Sequence, residues 1–428
     1  MPVMSNCFHF LFTCTPATGG YNCFAKSVDM KAKFPLLLTT ILTATLQTIF
    51  AADSDLSQLA AANNTFAFKL LKQLSGEKKD GNVFVSPYST ATALQMAANG
   101  AAGQTKKEML ATLETAGLTP ATLNEASKAA AALSSTDTNL ILTTANALWY
   151  RQGAAIKPAY LDDNRKYFAS TIKALDFGNA PAAEAEINQW ASDQTHGRID
   201  GIANGMITPA TDLILANAIY FKGKWEDPFD KKLTKYRPFH PPTGPEKNLP
   251  MMSMSKKFTY RQGSGYQAVR LPYMGGNLAM YVFLPDPGSS PAKLLDIMNG
   301  DKWQRVTVPG FSIHEGLVVL PKFKLENTLD LNTPLAALGM KTAFTKQADF
   351  SAMFSDPHSI SEVRQKAFVE VGEEGTEAAA VTMIGVTASA IIMNPAKPFE
   401  MIVDRPFLFT IVDAHTEMIL FMGVVNEL

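Results

Sequence analysis

The stretch ISEVRQKAFVEVGEEGTEAAA, residues 360–380, changes character half-way along its length. Its middle part, KAFVEV, is rich in the aromatic and β-branched residues that favour a β-strand. Two carboxylates and a glycine follow, Glu373, Glu374 and Gly375, and after Glu377 no charged residue occurs until Lys397. The fold depends on the structure that this long uncharged run adopts after the predicted strand.

Residues 375–394, GTEAAAVTMIGVTASAIIMN, fit no single environment well. A solvated linker would contain more charge and proline. A buried helix would avoid the β-branched residues and the glycine of the second half, and a strand would contain fewer alanines. With a period of two, the side chains on one face are small or β-branched, namely Thr376, Ala378, Ala380, Thr382 and Ile384. The run therefore suits an exposed loop that can enter a sheet as an additional strand.

The composition is that of a large globular protein. With 428 residues and 46% apolar content, the chain can bury the core of one large domain or two ordinary ones. A formal charge of −1 provides no clustered cations for binding phosphates, so nucleic acid is not an expected partner.

The N-terminal region predicts export. From Met30 the sequence reads MKAKFPLLLTTILTATLQTIFAAD, with two lysines, an apolar run and then small residues, which is the layout of a signal peptide. We predict a signal peptide at 30–52 and a mature chain at 53–428, with 1–29 untranslated or a disordered extension. An uncleaved anchor is the alternative, although the apolar run is short for a membrane span, and no membrane association of the mature chain is expected. The signal peptide predicts an extracellular protein, or a periplasmic one in a bacterial host. All three cysteines precede Met30, so the mature protein would exist there without a disulfide.

Helical patterns come first along the chain and strand patterns later. Residues 55–74, DLSQLAAANNTFAFKLLKQL, predict a helix, and SPYSTATALQMAANGA predicts another that Ser86 caps and that ends near Gly100. The apolar run TDLILANAIYF, 211–221, is typical of a central strand, and strand-like segments dominate after Arg237. Without alternation of strands and helices, this order predicts an α+β fold. The one glycosylation sequon is Asn63-Asn64-Thr65.

The motifs of common enzymes are absent from the sequence. We find no G-x-S-x-G, H-E-x-x-H, phosphate-binding loop or dinucleotide-binding glycine pattern, and the six histidines are scattered. We therefore expect no catalytic activity, no metal and no cofactor. An unrecognised hydrolase is the alternative, because catalytic triads are defined by geometry and not by order in the chain.

Several long motifs, in order along residues 53–428, resemble those of the serpin family of serine protease inhibitors. They are NVFVSPYSTATAL, INQWASDQTHGRI, NAIYFKGKWEDPF, MMSMSKKFTYR, ISEVRQKAFVEVGEEGTEAAA and VDRPFLFTIV with ILFMGVV. The resemblance implies a single domain with three β-sheets, about nine helices and an exposed reactive-centre loop at about 374–398. It also implies a suicide inhibitor: a serine protease cleaves the loop, forms a covalent acyl complex and is trapped when the loop inserts into the main sheet.

The resemblance assigns roles to individual residues. Gly375 matches the hinge glycine and Thr376 the first residue to insert, within a hinge composed of Glu373, Glu374, Gly375, Thr376, Glu377, Ala378, Ala379 and Ala380. Trp225 matches a tryptophan below the entry point of the loop. A polar cluster that lets the central strands separate is matched by Ser86, Ser89, Asn217 and Gln365, where Gln365 stands in place of a histidine that the family often has.

The length of the loop predicts the reactive bond. Counting from Glu373 places it between Ser389 and Ala390, although a longer segment after Ser389 leaves any bond in 388–394 open. The small residues there favour elastase-like or subtilisin-like proteases, and a cut at Ile391 or Met393 would favour a chymotrypsin-like one. The alternative to inhibition is a non-inhibitory carrier, chaperone or storage protein on the same fold.

The helix in which some serpins bind heparin has little charge here. The matching segment, LTPATLNEASKAAAAL, has Lys128 as its only cation, so we expect no heparin binding. We expect the protein to act as a monomer.

Overall fold

The computed structural model describes residues 13–17, 20–24, 36–78, 80–132, 140–376 and 397–428. The chain divides into two compact units, residues 1–51 and 52–428. In the first unit, strands β1 (Thr13–Ala17) and β2 (Gly20–Phe24) pair antiparallel.

The described residues contain nine α-helices. These are α1 (Leu36–Glu77), α2 (Pro87–Gly100), α3 (Gly103–Thr112), α4 (Pro120–Ala132), α5 (Pro158–Tyr167), α6 (Ala180–Gln194), α7 (Pro291–Ile297), α8 (Gly300–Lys302) and α9 (Asn332–Ala337). The predicted cap of α2 is confirmed: the Ser86 hydroxyl accepts a hydrogen bond from the Ser89 backbone N–H, and Pro87 occupies the first turn. In the part of the chain that is described, no helix is both long enough and apolar enough to cross a membrane.

The described part of the second unit contains fifteen strands. They are β3 (Val83–Val85), β4 (Leu140–Arg151), β5 (Thr171–Leu175), β6 (Leu213–Lys224), β7 (Lys235–Phe239), β8 (Lys247–Gly263), β9 (Tyr266–Pro272), β10 (Leu278–Pro285), β11 (Ser312–Pro321), β12 (Phe323–Asp330), β13 (Ile360–Gly372), β14 (Gly375–Thr376), β15 (Phe399–Ile402), β16 (Phe407–Asp413) and β17 (Ile419–Val425). Strand β3 lies in the region where the sequence predicts only helices, because three residues are too short to show a period.

One sheet has nine strands, and the long strand β8 is shared by two groups of them. One part of β8 pairs with β7 and β11, and its C-terminal residues pair with β9. From β9 the sheet continues through β10, β16 and β17 to β3, while β15 pairs with β11 at the opposite edge. Two of the three sheets implied by the resemblance are therefore joined through β8.

The second sheet has the strand order β12-β13-β14-β6-β4-β5. Strands β13 and β6 also pair directly and in parallel, from Ile360 opposite Leu213 to Phe368 opposite Tyr220. Residues of α1, α2, this sheet and the nine-stranded sheet share one core, for example Phe66, Leu94, Leu215 and Leu408. Helices packed on two sheets without alternation confirm the predicted α+β class, and the central pair β13–β6 positions the candidate site.

The predicted sequon lies inside the folded protein. Asn63 is buried, and its side-chain amide donates a hydrogen bond of 2.9 Å to the Ile419 carbonyl oxygen. A glycan on this nitrogen would displace the contact and has no space, so the folded protein does not offer the sequon for modification.

Candidate functional site

Two of the hinge residues, Gly375 and Thr376, form the short strand β14 inside the six-stranded sheet. In β14, Thr376 lies opposite Val371 of β13 and opposite Gly223 of β6, and both pairings are antiparallel. Closer to the start of β13, this strand and β6 pair directly. The gap between the two central strands is thus open at one end only, and the hinge occupies that end.

Gly375 is at a position that only glycine can occupy. Its φ is +149°, which side chains disfavour, and an added Cβ would lie 2.1 Å from the carbonyl oxygen of Gly223. The close approach of two backbones therefore explains the glycine that the sequence places at the start of the run.

Thr376 is buried completely and contacts one member of a stacked aromatic pair. Its Oγ1 lies 2.8 Å from the hydroxyl of Tyr273, whose ring stacks on Trp225 with centroids 4.6 Å apart. Burial raises the pKa of Tyr273 well above its ordinary value, outweighing the opposite effect of the Thr376 hydrogen bond, so the hydroxyl stays protonated. The inward direction of Thr376 agrees with the face that the two-residue period assigns to it.

Trp225 also binds the turn between β13 and β14. Its indole N–H donates to the Gly372 carbonyl oxygen at 2.9 Å, and its backbone N–H donates to the Glu374 carbonyl oxygen at 2.9 Å. The predicted tryptophan therefore lies directly beneath the point where the hinge enters the sheet.

The two hinge carboxylates are paired with cations. Glu373 is buried and contacts Lys322 Nζ at 2.9 Å, and it accepts a hydrogen bond of 2.9 Å from the Thr234 hydroxyl. Glu374 pairs with Lys231. Burial alone would raise the pKa of Glu373. The hydrogen bonds from Lys322 and Thr234 and the charge of Lys322 lower it by more than burial raises it, so the net pKa is below its ordinary value.

Lower in the sheet, Gln365 of β13 connects both central strands to the start of α2. Its side-chain oxygen accepts from the Ser86 backbone N–H at 2.7 Å. Its amide donates to the Ser86 carbonyl oxygen at 3.0 Å, to Thr90 Oγ1 at 2.9 Å and to Asn217 Oδ1 at 2.7 Å. The buried Gln365 side chain thus uses both its donor and its acceptor groups, and no titrating side chain takes part in these hydrogen bonds.

Asn217 of β6 completes this polar cluster. Its amide donates to Ser89 Oγ and, at 2.6 Å, to Asn146 Oδ1 on the adjacent strand β4. The structure brings together the four cluster residues that the sequence indicates. Thr90 and Asn146 were missed, because one sequence carries no signal for which polar side chains of separate elements meet.

The remaining predicted site residues lie outside the described part of the chain. They are Glu377, Ala378, Ala379 and Ala380 of the hinge and the bond between Ser389 and Ala390. Among the described residues, no group of three or more His, Cys, Asp or Glu side chains is placed to hold a metal ion.

A family model described as serpin (serine protease inhibitor) matches residues 61–428. The chain belongs to the serpin family. An uncharacterised serpin-like protein of Methanosarcina mazei is 35% identical over 372 residues, covering 86% of this chain and 87% of the relative. The leukocyte elastase inhibitor of Sus scrofa is 36% identical over 384 residues, covering 86% and 99%.

Solved structures agree with this assignment. The thermophilic serpin tengpin in its native state has a TM-score of 0.79 at 29% identity, covering 86% of this chain and 94% of that one. The serpin fold predicted from the sequence motifs is therefore confirmed. Members of this family are protease inhibitors and generally not enzymes, which agrees with the expected lack of catalytic activity.

Proposed function

We propose that this serpin inhibits serine endopeptidases as a suicide substrate, by cleavage of the loop, formation of an acyl complex and insertion of the loop between β13 and β6. The observation that carries the proposal is the hinge strand β14, which already pairs with both central strands at the open end of the gap. Insertion then continues this existing pairing while the direct pairing of β13 with β6 separates.

The register of β14 supports full insertion. In an antiparallel pair, residue numbers rise along one strand as they fall along the other. Since Thr376 lies opposite Val371, Glu377 would lie opposite Glu370, and each later loop residue would lie opposite an earlier residue of β13. Eleven more residues, 377–387, reach from Val371 to Ile360, where β13 begins. On the other side, the same eleven loop residues would lie along β6, from the level of Gly223 to that of Asp212, which directly precedes β6. The proposed reactive bond after Ser389 would therefore lie just beyond a fully inserted strand.

The chemistry uses the protease's own mechanism. Its serine oxygen attacks the Ser389 carbonyl carbon, an ester bond forms, the bond to Ala390 breaks, and Ala390 leaves as an amine with the proton taken from the serine. Insertion of the freed segment then moves the bound protease toward the far end of the sheet. About a dozen new hydrogen bonds at ~0.5–1.5 kcal/mol each give on the order of 10 kcal/mol. Loss of one oxyanion-hole donor costs ~3–4 kcal/mol of transition-state stabilisation, so this energy suffices to stop deacylation.

The loop sequence favours a protease with a shallow specificity pocket. Residues 386–390, VTASA, are small or β-branched and include no base, which suits elastase-like or subtilisin-like enzymes. The name of the similar Sus scrofa protein, leukocyte elastase inhibitor, is consistent with this class.

The test is incubation with pancreatic elastase and, separately, with trypsin, followed by electrophoresis in SDS. We expect an SDS-resistant complex with elastase, and mass spectrometry of the released peptide should locate the cut in 388–394. A complex with trypsin alone would contradict the specificity. Cleavage without any complex, and without a rise in melting temperature, would instead support a non-inhibitory carrier, chaperone or storage protein.

We also propose that the protein is exported and acts as a monomer without a polyanion cofactor. The pattern of residues 30–52 supports export, and the cysteine-free sequence after Met30 is compatible with it. Helix α4 has Lys128 as its only cation. N-terminal sequencing of the protein from culture medium tests the first part: a start near residue 53 is expected, and a start before Met30 would contradict it.

A further inference from the structure

At the end of the central gap remote from the hinge, where β13 and β6 pair directly, one aspartate adds side-chain contacts between the two strands. Asp212 directly precedes β6, and its Oδ1 lies 2.7 Å from His358 Nδ1. Its Oδ2 accepts a hydrogen bond of 2.9 Å from the Ser359 backbone N–H, and its own backbone N–H donates to Ser361 Oγ at 2.9 Å. The residue directly before β6 thus makes three polar contacts with residues 358–361, which span the start of β13. We name Asp212, His358, Ser359 and Ser361 the Asp212 latch.

Both sides of the latch are held firmly by their own surroundings. The Asp212 carbonyl oxygen accepts from the Arg151 backbone N–H at 3.0 Å, which fixes it to the end of β4. The His358 side chain is only 6% exposed, its ring centroid lies 4.2 Å from that of Phe354, and its Nε2 lies 3.0 Å from an Asp356 carboxylate oxygen. Because neither side moves freely, separation of β6 from β13 must break the three contacts between them.

The latch lies where the last residues of a fully inserted loop would be placed. In the register of β14, Thr387 would face Asp212 on one side, and Ser389 would reach the level of His358 on the other. This step rests on the proposed function. Insertion that stops before the latch would leave the contacts intact, whereas complete insertion requires that they break.

We propose that the Asp212 latch holds the far end of the gap closed in the uncleaved protein and that its opening is the last step of insertion. Its strength then sets the share of cleavage events that end in a trapped protease. The contacts stabilise the uncleaved form alone, because the two sides of the latch are separated by a strand after cleavage.

The first test compares Asp212→Ala with a control variant, Asp413→Ala. Asp413 at the end of β16 is buried more deeply than Asp212, whose side chain is 21% exposed, and its carboxylate accepts from the Thr416 backbone N–H at 2.8 Å and the Thr416 hydroxyl at 2.7 Å. Its sheet does not open during insertion. The melting temperature of each variant is measured before and after cleavage of the loop by elastase or subtilisin.

We expect Asp212→Ala to lower the melting temperature of the uncleaved protein by about 2–5 °C and to leave that of the cleaved protein unchanged. Asp413→Ala should lower both. An equal decrease of both temperatures in Asp212→Ala would overturn the latch. If this variant does not fold, Ser361→Ala removes only the Ser361 contact and should show the same selective decrease at smaller size.

The second test measures how cleavage events divide between trapped complex and released, cleaved inhibitor at equal elastase concentration. We expect Asp212→Ala to give more complex per cleavage than the wild type, because insertion finishes sooner. An unchanged ratio would show that the latch does not set the share of trapped protease. The wild type alone tests the proposed function: absence of any complex would refute inhibition, while the melting temperatures would still decide on the latch.

Discussion

The Tyr273 hydroxyl lies 2.8 Å from Oγ1 of Thr376, and both groups are buried completely. Tyr273 directly follows β9 of the nine-stranded sheet, whereas Thr376 belongs to the hinge strand of the six-stranded sheet. This contact therefore fixes the first residue of the proposed insertion to the other sheet of the protein.

The contact should be visible in a double-mutant cycle. Tyr273→Phe and Thr376→Val each leave one buried hydroxyl without a partner, so each should cost ~1–3 kcal/mol of unfolding free energy. The double variant removes both hydroxyls, and we expect its loss to be smaller than the sum by at least ~0.5 kcal/mol. Urea unfolding of the four proteins measures the coupling. Strictly additive losses would show that the two hydroxyls do not interact.

Gly375→Ala should expel the hinge from the sheet. The added Cβ would overlap the Gly223 carbonyl oxygen, and the positive φ adds strain of ~1–3 kcal/mol. We expect a lower melting temperature of the uncleaved protein and more cleavage without trapping. The control is Gly372→Ala at the end of β13, where the nearest atom to an added Cβ is Lys322 Cε at 3.9 Å. If both variants behave alike, the close approach at Gly375 is not what holds the hinge.

The sequence predicted the elements better than the contacts between them. The run TDLILANAIYF, 211–221, predicted as a central strand, overlaps most of β6, and Ser86 caps α2 as its pattern indicates, because both signals are local. Helix α1 runs from Leu36 to Glu77, through the predicted boundary at 52–53, where helix-forming residues continue without a break.

The partners of the hinge were not predictable in the same way. Tyr273, Lys322 and Thr234 lie far from Glu373 and Thr376 in sequence, and they reach the hinge only through the packing of strands. No periodic pattern encodes such a meeting. Nor does the sequence show that Gly375 and Thr376 already pair as a strand, since two residues have no period of their own.

Replacement of Gln365 tests the polar cluster. Gln365→Met conserves volume but leaves the Ser86 N–H and Asn217 Oδ1 without their partner, so the unfolding free energy should fall by about 2–4 kcal/mol. Urea unfolding measures this loss. Gln73→Met on the outer side of α1, where the amide donates to Glu77 Oε1 at 3.3 Å, should change stability by less than about 0.5 kcal/mol. A comparable small effect at Gln365 would contradict a structural role of the cluster.

Acid should weaken the hinge through Glu373. Since its pKa in the folded protein is below the ordinary value of about 4.3, its ionised form stabilises the protein above that pH. The contribution is lost as the pH falls through about 4.3 toward the lowered pKa, because protonation ends the pairing with Lys322. The melting temperature of uncleaved wild type should therefore fall more steeply between pH 6 and pH 3.5 than that of Glu373→Gln. Glu362 provides a control of opposite sign, because burial raises its pKa despite Arg364, so Glu362→Gln should show a steeper acid loss than the wild type. Parallel curves for Glu373→Gln and wild type would refute this account of the hinge carboxylate.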